Sequence, residues 1–247
     1  MIKSEKISYQ IKGMPFIGYA VYDGDGAAKA KKPAVLVIHA WKGLDENAKK
    51  KAEELAKLGY VAFALDLYGN GTLPKTDEEA GALMSPLFID RKVLRERLLA
   101  GLETLKNIPG VDTSRIGAIG FCFGGLSALE LAKSGADVKG VVSFHGLLGN
   151  KRGNLQAKPE KNADKIIAKM LVLHGYEDPM VSPEDITNFQ KGMTEAKVDW
   201  QMHIYSDTTH AFTDPNAQSK EKGLNYNPVS AKRAWQSMTN FFEELFA

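Results

Sequence analysis

Ile116-Gly-Ala-Ile-Gly120-Phe-Cys122-Phe-Gly124-Gly125 decides the fold. An apolar run enters this stretch, three glycines surround one cysteine, and Phe123 to Lys133 has helix-forming composition. The sequence therefore predicts a buried strand, a tight turn and a helix. A nucleophile held on such a corner needs almost no side chain two residues before and two after it. Gly120 and Gly124 meet that need. The helix that follows has unpaired N–H groups and positive dipole character at its start, which favours a thiolate at Cys122. The Phe123 N–H is placed to form half of an oxyanion hole. Two other readings exist for a glycine-rich turn. A dinucleotide site needs G-x-G-x-x-G and an acid about 20 residues on. The spacing is absent, and Ser143 and His145 stand where the acid would be. The other reading is a structural cysteine in a tight turn, and the downstream residues have to decide against it.

Outward from the turn, strand and helix patterns alternate. Val35–Ile38, Val61–Leu65, Val141–Phe144 and Met170–Leu173 are continuous apolar runs, as in strands buried on both faces. Trp200–Tyr205 reads as a further strand. Helices are expected at Asn47–Leu58, Leu87–Ile108, Pro183–Ala196 and Val229–Phe246. Ahead of these, Ile7–Ile11 and Phe16–Tyr22 alternate like half-exposed strands, with a turn at Gly13-Met14-Pro15. The expectation is one α/β domain over residues 1–247, a mostly parallel sheet with helices on both faces and an N-terminal antiparallel hairpin. Asp23–Pro33 reads as a polar loop. Segments 69–86 and 149–163 carry weak element signals, and long irregular segments in such folds often border the site.

Composition narrows the classes. Of 247 residues, 44% are apolar and 25% charged, which is ordinary globular usage. Against 32 basic residues stand 30 acidic ones, a net of +2 that gives no reason for a nucleic-acid or membrane partner. The basic stretch Lys29-Ala-Lys31-Lys32 reads as a solvated loop. No apolar run approaches a membrane span and no signal peptide is evident. One cysteine cannot form an internal disulfide, so a reducing, cytoplasmic setting is expected.

In α/β folds of this kind the acid and the histidine follow the nucleophile along the chain. The strand ending at Leu173 runs into His174-Gly-Tyr-Glu177-Asp178-Pro179. An acid just past a strand end sits on the sheet's carboxyl edge, where ligands bind. Asp178 is preferred over Glu177, because its shorter side chain suits a fixed hydrogen bond to an imidazole. The next strand is followed by Ser206-Asp-Thr-Thr-His210. Cys122, Asp178 and His210 stand 56 and 32 residues apart, enough for further strand–helix units between them. His39 and His145 end strands near the same edge and are candidates for supporting roles. His174 and His203 read as structural. No H-E-x-x-H or paired Cys/His spacing points to a metal. The second oxyanion donor is expected from the loop after Ile38, by position the Trp41 N–H.

Together these residues resemble the dienelactone hydrolase (carboxymethylenebutenolidase) family. The resemblance rests on Gly120-Phe-Cys122-Phe-Gly124-Gly125, His174-Gly…Asp178-Pro179 and Tyr205…His210-Ala-Phe212. Asp66-Leu-Tyr68-Gly69, Ser143-Phe-His145-Gly146 and the tail Ala231 to Phe242 add to it, so that it spans nearly the whole chain from about residue 14. It implies the α/β-hydrolase fold and a Cys122–Asp178–His210 triad acting on small esters or lactones through an acyl-enzyme. It implies no cofactor, and a monomer or weak homo-oligomer is expected. A thioesterase or small peptidase on the same fold is the enzymatic alternative, and a weakly catalytic binding protein the non-enzymatic one. Two positions depart from the family pattern. Ala40 stands where the family often has a glutamate that contacts the cysteine. Thr213-Asp214-Pro215 lacks the arginine that follows the histidine. A direct Cys122–His210 pair, or another acid, then has to activate the thiol, and a neutral or differently anchored ester is expected. Arg91, Arg95 and Arg97 are expected to be solvated or ion-paired on their helix.

Overall fold

The computed structural model describes residues 1–24, 31–158 and 160–247. Eight strands form one sheet: β1 (Ile2–Ile11), β2 (Met14–Asp23), β3 (Lys32–Ile38), β4 (Val61–Leu65), β5 (Val111–Phe121), β6 (Gly140–Phe144), β7 (Lys169–Gly175) and β8 (Trp200–Tyr205). Their order across the sheet is β1-β2-β4-β3-β5-β6-β7-β8. β2 runs antiparallel to both its neighbours, and every other pairing is parallel. The helices are α1 (Glu46–Lys57), α2 (Asp77–Ile89), α3 (Arg91–Lys106), α4 (Phe123–Lys133), α5 (Pro183–Glu195) and α6 (Pro228–Phe246).

The two-residue period of a strand divides the core into two layers. From β3, Ala34, Leu36 and Ile38 pack on one face with Leu94, Leu98 and Leu102 of α3 and Leu126 and Leu129 of α4. Val35 and Val37 face the other way, toward Ala52 and Leu55 of α1 and Met238, Phe241 and Phe242 of α6. Because the core strands are parallel, the carboxyl ends of β3, β5, β6, β7 and β8 open on one edge. That edge gathers the loops beginning at residues 39, 122, 145, 176 and 206.

Three expectations are corrected. The hairpin turn is Lys12-Gly13, both left-handed (φ 51° and 82°), and Met14 pairs with Ile11 as the first residue of β2. Two left-handed residues match the twist of the flanking strands. The long helix expected over Leu87–Ile108 is two helices. Asp90 leaves helical backbone (φ −105°, ψ 89°) and its carboxylate accepts the Val93 N–H, capping α3. The weak segment 69–86 contains most of α2, which Thr76 caps and which holds Pro86 inside. The remaining weak segment, 149–163, carries a short ribbon, Lys151–Arg152 against Leu155–Gln156. The expected Asp23–Pro33 loop, and Lys29 with it, lies largely at 25–30, outside the described residues.

Asp66 organises the loop after β4. It is 1% exposed, and its carboxylate accepts the N–H groups of Tyr68, Gly69, Gly71 and Ile17 at 2.9–3.2 Å. Asp66→Ala leaves four donors without that partner, two of them buried, and is expected to destabilise the fold by about 3 kcal/mol. The urea midpoint should fall with an unchanged slope. A shift worth less than about 0.5 kcal/mol would show that the carboxylate does not hold this loop.

Candidate active site

Cys122 is the single residue between β5 and α4. Its backbone is at φ 55°, ψ −116°, a region non-glycine residues rarely occupy. A Cβ at Gly120 would overlap the carbonyl of Gly124, and one at Gly124 would overlap the carbonyls of Ile38 and His39. The corner closes only because both are glycine. The Cys122 N–H donates to the Phe144 carbonyl (3.0 Å) and the His145 Nδ1 (3.2 Å). Its carbonyl receives Gly125 and Leu126 N–H. The Phe123 N–H bonds to the sulfur.

The loop after β7 brings in Asp178 and not Glu177: Asp178 is buried and Glu177 exposed. One carboxylate oxygen, Oδ1, accepts the Met180 N–H at 2.9 Å. The other, Oδ2, accepts the His210 Nδ1–H at 2.7 Å. The backbone of His210 is held by Gly223 and Asn225. With Nδ1 taken, the buried Nε2 has no hydrogen-bond partner among the described residues and is left to Cys122. Burial alone would lower the His210 pKa, but the charge of Cys122, the bond to Asp178 and the nearness of the sulfur outweigh it and raise it. Burial pushes the thiol up, and the charge and nearness of His210, the Phe123 N–H and Arg152 together bring it below the ordinary value. Each partner favours the charged form of the other, which shifts the pair toward thiolate and imidazolium.

The other histidines are in different states. His145, also left-handed (φ 39°), accepts at Nδ1 from Cys122 N–H and donates from Nε2 to Thr213 Oγ1 at 2.7 Å. Burial, then the charge of His210, holds it well below the usual imidazole range. His145 is therefore neutral, with both nitrogens used. His39 is fully buried behind the loop after β3. His174 is buried next to the last residue of β7, and His203 meets Ser237 Oγ at the surface.

A cavity of about 390 Å³ lies over the sulfur, lined by Cys122, His210, His145, Ala40, Trp41 and Arg152 among others. Asp214 and the Lys42–Asp77 ion pair (3.4 Å) border it. The Trp41 N–H has no hydrogen-bond partner among the described residues. Among the described residues no carboxylate acts on the sulfur.

Sequence reasoning missed Arg152 and Tyr68. Arg152 comes from the short ribbon in 149–163, and its only hydrogen-bond partner among the described residues is Met84 Sδ at 3.4 Å. Nothing local marks it, because its position depends on where the ribbon lies over the sheet edge. Tyr68 donates to the Trp41 carbonyl at 2.6 Å, and burial and the charge of Cys122 raise its pKa. Of the three helix arginines, none lines the cavity. Arg95 forms a buried ion pair with Glu130 (2.8 Å) and Arg97 donates to the Leu67 carbonyl. Arg91 is not solvated as expected, and it has no ion pair among the described residues. It is buried against the Phe88 ring, and desolvation lowers its pKa to about 10. Among the described residues no cluster of three or more His, Cys, Asp or Glu is arranged to hold a metal ion. No described helix is long and apolar enough to cross a membrane.

The sequence profile of the dienelactone hydrolase family matches residues 20–246. The chain belongs to that family. A protein of Aquifex aeolicus provisionally named carboxymethylenebutenolidase is 28% identical over 97% of both chains. The solved structure of m3DLH superposes with a TM-score of 0.91 at 40% identity, covering 100% of this chain and 99% of its own. A dienelactone-hydrolase-like promiscuous phosphotriesterase, P91, from metagenomic libraries has a TM-score of 0.90 at 34% identity over 99% and 98%. Like its family, this dienelactone hydrolase relative has the α/β-hydrolase fold and is a hydrolase acting on ester or lactone bonds.

A lowered thiol pKa keeps the thiolate populated below the ordinary range of ~8.5. The rate of iodoacetamide alkylation at Cys122 should therefore hold as pH falls through ~8.5 and drop only through the lower pKa. His210→Gln removes the imidazolium and should move the inflection upward. A wild-type inflection at or above ~8.5 would contradict the ion pair.

Proposed function

We propose that the chain hydrolyses a small carboxylic ester or lactone through an acyl thioester on Cys122, with His210 and Asp178 completing a triad. The observation that carries this reading is the state of His210. Asp178 fills Nδ1, and Nε2 is buried, unpartnered among the described residues and coupled to the sulfur. His145 is unsuited to that role, since both of its nitrogens are engaged.

In this reading the thiolate attacks the substrate carbonyl carbon. A C–S bond forms and the carbonyl electron pair moves to oxygen. The Phe123 and Trp41 N–H groups receive that oxyanion. As the intermediate collapses the C–O bond breaks, and His210 gives its Nε2 proton to the departing alkoxide. Water then attacks the thioester, passes a proton to Nε2, and the C–S bond breaks to release the acid. Asp178 holds the ring orientation and stabilises the imidazolium throughout. Ala40 removes the family's glutamate route, and His210, the Phe123 N–H and Arg152 supply the thiolate instead. A cavity of about 390 Å³ suits a small substrate better than a peptide chain. Asp214 at its border disfavours an anionic group on that side.

A p-nitrophenyl ester panel tests this. Cys122→Ala should lose at least about 1,000-fold in kcat/KM, and Asp178→Asn about 100- to 10,000-fold. Equal rates for wild type and Cys122→Ala would remove the sulfur from the reaction. They would also favour a binding protein that keeps the fold. A phosphotriester belongs in the same panel, because the structural relative P91 is a promiscuous phosphotriesterase.

A further inference from the structure

His39 stands outside the reaction just described, yet it is fully buried and both ring nitrogens are engaged. Nε2 receives the Leu67 N–H at 3.1 Å, so it is an acceptor. In the neutral ring the proton is then on Nδ1, which donates to the Ala40 carbonyl at 2.6 Å. The tautomer follows from the backbone and needs no assumption about pH. Burial, the main influence on this imidazole, also favours its neutral form.

The Ala40 carbonyl and the Trp41 N–H are the two ends of one planar peptide. Fixing the oxygen on one side fixes the direction of the N–H on the other. The Gly43 N–H also reaches that oxygen, at 3.3 Å, closing the turn. The imidazole bond is the shorter of the two and comes from a side chain that cannot rotate away, being tied to Leu67. A carbonyl that accepts a bond also polarises its peptide and makes the N–H a better donor. The next peptide is held as well: the Trp41 carbonyl accepts from Tyr68 Oη at 2.6 Å. The Tyr68 ring packs edge-on against His39, with centroids 4.9 Å apart.

We propose that His39 is a positioning residue for the reaction: it locks the Ala40–Trp41 peptide so that the Trp41 N–H meets the oxyanion formed on Cys122. The inference rests on the proposed role of Trp41. His39 touches neither substrate nor sulfur, so its removal acts on the turnover step and leaves the thiolate as it was.

Two substitutions separate the two ends of the ring. Asn carries an N–H near Nδ1 and nothing near Nε2. Gln reaches the Nε2 position with an acceptor and has nothing at Nδ1. His39→Gln should lower kcat for a p-nitrophenyl ester about 10- to 100-fold with KM within about twofold. His39→Asn should recover kcat to within about threefold of wild type, despite losing the Leu67 bond. Alkylation of Cys122 by iodoacetamide forms no oxyanion, so its rate and pH profile should match wild type in both variants. Wild-type kcat in His39→Gln would overturn the proposal. So would Asn performing no better than Gln, or kcat and alkylation falling together in both. Trp41→Pro deletes the N–H itself. If Trp41→Pro keeps wild-type kcat, the oxyanion role of Trp41 fails. If it loses kcat while alkylating normally and His39→Gln does not, only the inference about His39 fails.

Discussion

The site depends on one steric constraint, the clearance at the corner between β5 and α4. A left-handed Cys122 is tolerable only if β5 and α4 approach closely enough to leave no alternative path. That approach leaves no room for a Cβ at Gly120 or Gly124. The obstacles are backbone carbonyls, including those of Ile38 and His39 at the end of β3. Backbone cannot move aside as a flexible side chain would. The corner thus ties the nucleophile to the strand whose loop carries Trp41. The same turn puts the sulfur at a helix start, beside the Phe123 N–H.

Around that corner the buried histidines are differentiated by what bonds their nitrogens. His39 and His145 each have an N–H donated to one ring nitrogen and an oxygen accepting from the other, which fixes them as neutral wedges. His210 has a carboxylate at one nitrogen and the Cys122 sulfur near the other, an arrangement that favours its charged form. A neutral His145 with its ring 5.1 Å from that of His210 adds no second full charge to a buried site. One residue type therefore serves as scaffold and, in the proposed reaction, as proton carrier within a few ångströms.

Much of this was legible in the sequence because it depends on local constraint. Strands β4 and β8 and helix α4 begin and end where their apolar runs and the glycine turn place them. The placing of Cys122, Asp178 and His210 just past the ends of β5, β7 and β8 follows from parallel topology, and so does their convergence on one edge. The split between α2 and α3 was obscured by Pro86, which closes the weak segment 69–86 in the sequence and lies inside a helix instead. The Thr76-x-x-Glu79 pattern was the available signal for that helix. Arg152 had no local signal at all. Its charge reaches Cys122 through the placement of a two-residue ribbon over the sheet edge, a long-range fact. The pairing of His39 with the Ala40 carbonyl was equally invisible, because a histidine ending a strand has many possible partners.

The central claim is that the Cys122 sulfur becomes covalently acylated during turnover. Rapid acid quenching during p-nitrophenyl butyrate hydrolysis, followed by intact-mass measurement and peptide mapping, tests it most directly. One added acyl group is expected on the peptide that carries Cys122, forming within the first turnover and disappearing when the ester is exhausted. Sustained turnover with no adduct, or an adduct on any other residue, would contradict it.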